Sequence, residues 1–107
     1  MGYRSDVVIA ISHKGKLQSI LFDTDIKIIK EADNIIRDEE ADYYFFEGWK
    51  WYEDYPDIKA LMDFLTSLDD EDYGFVRIGE ENSDIEELGS PYDYNIGVSS
   101  YIYTPFD

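Results

Sequence analysis

The 107-residue sequence has no cysteine, one histidine and three prolines, and only nine Lys and Arg residues against 25 Asp and Glu. Without cysteine there is no disulfide framework, no thiolate nucleophile and no thiolate metal site. That fits a reducing, cytoplasmic compartment. The single histidine, His13, would have to carry any triad or imidazole zinc site alone, and its neighbours Lys14, Gly15 and Lys16 supply no nucleophile. It reads as an ordinary surface residue in a turn. Long hydrophobic runs are also absent. The apolar stretch at residues 7–11 is too short for a signal-peptide core or a membrane span, and Asp6 stands where a myristoylation motif requires a hydroxyl residue. A soluble, unanchored chain is therefore expected. Neither a Gly-x-Gly-x-x-Gly nor a Gly-Lys-Ser/Thr phosphate loop occurs, so no nucleotide cofactor is expected.

What is abundant is acid and aromatic. Residues 1–30 carry five basic and three acidic side chains, whereas residues 31–107 carry four basic and 22 acidic, which concentrates the net charge of −16 in the later part. Such a field repels nucleic acid and anionic membrane and speeds encounter with basic surfaces, although charge of this kind also serves solubility alone. With 44% hydrophobic and 17% aromatic residues, the chain is too apolar for a disordered acidic tail. It is long enough for one domain, residues 1–107, burying about 60% of its unfolded surface.

The clearest structural signals lie at residues 42–68. Tyr43, Tyr44, Phe45 and Phe46 suit a strand, and Glu47-Gly48 can turn or bulge the chain before Trp49 and Trp51. Pro56 suits a first helical position, Asp54 and Asp57 lie near the positive end of the helix dipole, and Ile58, Leu61, Met62, Leu65 and Leu68 form one apolar stripe. Earlier, Val7, Ile9 and Ile11 alternate as in a central strand, and a helix, whole or broken near Asp23, is expected over residues 16–37. Later, residues 73–78 read as a short strand and residues 79–89 as irregular, with Ser83-Asp84-Ile85-Glu86 fitting a capping box. A last strand is expected over residues 92–103, with Tyr92, Tyr94, Ile96, Val98 and Ile102 on one face and Tyr101 and Tyr103 on the other. The predicted fold is α+β: a single antiparallel or mixed sheet with two main helices packed on one face.

Site chemistry is sparse. Asp69, Glu71, Gly74 and Glu80 match four positions of an EF-hand loop, but Tyr73 takes a ligand position and residues 75–78 read as strand, so no metal is expected. Trp49-Lys50-Trp51 is flanked by Glu47, Glu53 and Asp54, which argues against tracking of a phosphate backbone and hence against direct nucleic-acid binding. If both helices cover one sheet face, Tyr44 and Phe46, or else Tyr43 and Phe45, point to the other face with Tyr101 and Tyr103. That face serves as a protein contact or is shielded by the chain's own loops.

Met1-Gly2-Tyr3-Arg4-Ser5-Asp6-Val7, then Lys50-Trp51-Tyr52-Glu53-Asp54-Tyr55-Pro56-Asp57, then Phe75-Val76-Arg77-Ile78-Gly79-Glu80-Glu81 followed by Asp84-Ile85-Glu86-Glu87 resemble, in this order, a family of small acidic proteins encoded by bacteriophages and prophages. The resemblance implies a host-cell cytoplasmic setting and attaches no catalytic role to these residues. By analogy of class, it implies a protein that binds and blocks a host nucleic-acid enzyme, in some cases as a DNA mimic.

The sequence thus leads to a non-enzymatic acidic binding protein that occupies a basic, nucleic-acid-binding surface of a host protein. Asp57, Asp63, Asp69, Asp70, Glu71 and Asp72 are the expected contact ridge, with Trp49 and Trp51 as aromatic anchors. The alternative is a structural or assembly protein that binds itself, as a homodimer, or a phage partner through the aromatic sheet face.

Overall fold

The computed structural model describes residues 2–15, 27–81, 83–98 and 101–106. Strand β1 (Ser5–Ser12) is the middle of a five-stranded antiparallel sheet, flanked by β3 (Ala41–Trp49) and β4 (Tyr73–Gly79), with β2 (Asn34–Arg37) and β5 (Ile85–Gly89) at the edges. The alternation read in β1 sorts its side chains into two buried layers. Val7, Ile9 and Ile11 join Tyr44, Phe46, Tyr73 and Phe75 on one face, and Val8 and Ala10 join Tyr43 and Val76 on the other.

Helix α1 (Pro56–Ser67) covers the first face. Pro56 opens it, Asp57 lies in its first turn, and Ile58, Leu61, Met62, Phe64 and Leu65 are buried beneath it. Leu61 and Leu65 are fully buried, each stabilising the fold by about 1.5–3 kcal/mol. The second face is covered by the chain's own C-terminal segment. A 3-10 turn at Pro91–Tyr94, buried Ile96, and the two short paired strands β6 (Gly97–Val98) and β7 (Ile102–Tyr103) lie over it. Phe106 meets Tyr43 edge-on, with ring centroids 4.8 Å apart.

Several expectations are corrected here. Among the described residues one main helix packs on the sheet. Of the helix expected over 16–37, residues 16–26 lie outside the described residues, Lys27–Glu31 is a 3-10 turn, and Asn34–Arg37 is the edge strand β2. The supposed capping box at Ser83 instead leads into β5, because Arg77 on β4 holds both Asp84 (2.8 Å) and Glu86 (3.2 Å). The supposed last strand is broken by the turn at Pro91 and by Asn95, whose φ of 57° is left-handed. The residues of the supposed calcium loop form a 3-10 turn at Asp70–Asp72 and then the extended β4, which separates Asp69 from Glu80 by the length of a strand.

Candidate functional site: the flanks of helix α1

Among the described residues two open grooves border α1, and both owe their shape to local sequence. At the helix start, the β1–β3 register shifts by one residue between Ser5 and Val7, so Glu47 and Gly48 form a bulge on β3. Gly48 has φ 64°, donates its N–H to Asp6 Oδ1 (2.8 Å), and receives the Arg4 guanidinium on its carbonyl (2.7 Å). The bulge delivers Trp49 to the wall of a groove of about 670 Å³, which Tyr55, Asp57, Glu31, Glu47, Arg4 and Lys50 also line. Asp33 holds this wall, accepting the Trp49 indole N–H at 2.8 Å and the Glu47 N–H at 2.7 Å. Those two donors, the Glu47 amide first, lower the Asp33 pKa below the ordinary carboxylate value. Because two cations, Arg4 and Lys50, and three carboxylates, Glu31, Glu47 and Asp57, line this groove, it selects for neither sign of charge.

The second groove, of about 600 Å³, runs between α1 and the edge strand β5. Met62 and Leu88 give it an apolar floor, and Glu53, Asp54 and Asp63 rim it. Among the described residues its one cation is Lys59, which is paired with Asp63 at 3.1 Å. Beyond the helix, Asp69, Asp70 and Glu71 are exposed, and the last turn of α1 contains no basic residue. These acids therefore crowd the negative end of the helix dipole, where like charge is unfavourable. Lys14 offsets part of this, with its ammonium 4.0 Å from Asp69.

Asp57, Asp63, Asp69, Asp70 and Glu71 thus lie on the surface of α1 and the turn after it, as the sequence led us to expect. Asp72 does not. It is buried, accepts the Ser12 hydroxyl at 3.2 Å, and has Lys14 Nζ at 3.7 Å. Ser12 in turn accepts the Gly15 N–H at 3.0 Å and so caps the helical residues 13–15. The carboxylate of Asp72 is structural: it ties the end of β1 to the turn before β4. Trp51 is likewise removed from the site. Its ring is buried between Phe46 and Phe75, with centroids 5.1 and 6.2 Å away, and its indole N–H finds no acceptor among the described residues. Trp49 stays half-exposed. His13 is exposed at the start of the helical residues rather than in a turn, and its Nε2 lies 3.6 Å from Asp42, beyond hydrogen-bond distance.

Sequence reasoning missed the second groove. Glu53 and Asp54 are visible as acids before Pro56, but Leu88 lies in a segment whose sequence reads as irregular, and only its pairing with Phe75 in the β4 ladder places it beside α1. Among the described residues no cluster of metal-ligating side chains occurs, and no helix is long and apolar enough to cross a membrane. Comparison with protein-family models, curated proteins and solved structures finds no match.

Proposed function

We propose that this is a non-enzymatic binding protein whose acidic surface, centred on α1 and the turn after it, occupies a basic, nucleic-acid-binding surface of a host protein, as an inhibitor or DNA mimic. The observation that carries this reading is the placement of Asp69, Asp70 and Glu71. They are exposed at the end of a helix whose dipole disfavours them, next to a groove rimmed by further carboxylates. Solubility could be had from acids anywhere on the surface; acids gathered where they lower stability are better accounted for by a partner that neutralises them. Only Asp42 and Asp72 among the described carboxylates are buried, and only Asp84 and Glu86 are half-buried, so nearly all contribute to the outward field. Affinity capture from bacterial lysate, washed at low and high salt, tests the reading. Recovery at low salt of a basic nucleic-acid-binding protein, displaced by duplex DNA, is the expected result, and recovery of none would overturn it.

The second reading, self-association or assembly through aromatics, draws on Tyr92, Tyr101, Tyr103 and Phe106, which are all exposed on the C-terminal segment. The sheet face beneath them is covered, since Tyr43 is buried and packs against Tyr94 and Phe106. The contact would thus be made by the covering segment rather than by the sheet. Light scattering across concentration discriminates, with a strict monomer counting against it.

A further inference from the structure

We propose that β5 accepts an extended, lysine- or arginine-rich segment of a partner protein as a sixth strand, its basic side chains lying in the groove beside α1. This rests on the reading of the acidic surface as a binding surface and names how the partner is held.

The geometry starts from the strand edge. β5 is last in the sheet, and no described strand pairs its outer side. In the β4–β5 ladder Gly79 donates to the Asp84 carbonyl and Ser90 donates to the Tyr73 carbonyl, so by register Glu86 and Leu88 between them turn their backbone groups toward β4. By alternation, Glu87 and Gly89 turn theirs outward, as does the Ile85 carbonyl. Such an edge is a template for an added strand.

Charge selects the occupant. Edges are commonly guarded by lysine, proline or inward-pointing charge, but β5 contains only carboxylates, Glu86 and Glu87, as charged residues. Glu86 is engaged by Arg77, whereas Glu87 is exposed at the edge. A second copy paired there would bring glutamates together, which disfavours self-pairing. A basic strand meets no such penalty. Laid about 4.8 Å outside β5, it would turn alternate side chains toward the α1 side, where Leu88 and Met62 can take their aliphatic stems and Glu53, Asp54 and Asp63 their charged ends. On the opposite face Ile85, 42% exposed, offers an apolar contact.

The probe is a synthetic peptide of alternating lysine and valine, compared with the same peptide N-methylated at alternate amides, which retains the charge but cannot extend a sheet. The proposal predicts that the unmodified peptide binds, slows hydrogen exchange at the Glu87 and Gly89 amides, and loses about tenfold or more in affinity on N-methylation. Glu87→Pro removes an outward N–H and no bond to β4, so it is expected to abolish binding, whereas Glu87→Gln, which keeps the edge, weakens it only a few-fold, by roughly the effect of one exposed charge. If Glu87→Pro disturbs the fold, the N-methylated peptide against the parent protein still decides. Equal binding of both peptides, sensitive to salt, would overturn strand addition while leaving the acidic-surface reading in place. Binding of neither peptide at low salt would overturn both.

Discussion

Replacing Ser12 by Ala should destabilise this protein far more than loss of an ordinary half-buried hydroxyl. The Ser12 oxygen accepts the Gly15 N–H, and its proton goes to Asp72, whose carboxylate is buried with a side chain only 8% exposed. Loss of the cap costs about 1 kcal/mol. Loss of a hydrogen bond to a buried charge adds about 1.5–3 kcal/mol. Lys14, already 3.7 Å from Asp72, can move closer and offset up to about 1 kcal/mol, because its own side chain is 65% exposed. The expected net loss is therefore about 1.5–4 kcal/mol, a large share of the roughly 5–15 kcal/mol that holds such a domain together. At this chain length that is a drop in Tm of about 10 °C. Urea denaturation followed by circular dichroism, with the same m-value for parent and variant, measures it. Asp72→Asn in the Ser12→Ala background should cost little further, since the buried charge has then lost its donor. A loss below about 0.5 kcal/mol for Ser12→Ala would refute the assignment of Asp72 as a structural carboxylate.

Neutralising the exposed triad, Asp69→Asn, Asp70→Asn and Glu71→Gln together, should raise stability by about 0.5–1 kcal/mol at low salt, because relief at the helix end outweighs the distant Lys14 contact; chemical denaturation at two salt concentrations checks both sign and screening. Asp84 is held down to about 2, first by the Arg77 guanidinium and then by the Tyr3 hydroxyl. A depressed carboxyl stabilises above its unfolded pKa and loses that contribution as pH falls through the folded value, so parent stability should decline from about pH 4 toward pH 2 more steeply than that of Asp84→Asn in acid titrations. Gly89→Ala should weaken the β4–β5 pairing, since φ is 69° there and a Cβ would press on the Tyr73 carbonyl. Thermal melts should show a loss above about 1 kcal/mol, and a neutral result would place the strand edge wrongly.

The parts legible in the sequence were those fixed by local periodicity. The alternation in β1, the bulge at Glu47-Gly48, and α1 with Pro56 at its start and its apolar stripe follow from side chains a few residues apart. What sequence concealed depends on partners distant along the chain. Residues 85–89 contain two glutamates and a glycine, poor strand formers, and become β5 because Arg77 and the β4 ladder take them up. Asp72 looks like the fourth acid of a solvated run, but the 3-10 turn rotates it inward to Ser12, sixty positions away. Trp51 shares a run of aromatic and acidic residues with Trp49, and only the position of Phe75 decides that one is core and the other groove wall. The C-terminal residues 92–103 keep their aromatic alternation in sequence, but Pro91 and Asn95 impose turns that fold them over the sheet instead of extending it.

The most direct test of an acidic surface built around α1 is the salt dependence of its association with the captured basic partner, for the parent and for a variant carrying Asp63→Asn, Asp69→Asn, Asp70→Asn and Glu71→Gln. If that surface makes the contact, the variant binds more weakly at low salt, the two affinities converge as salt rises, and the variant's slope against salt concentration is flatter. Equal affinity and equal slope at every salt concentration would contradict the account and leave these carboxylates as a solvated surface.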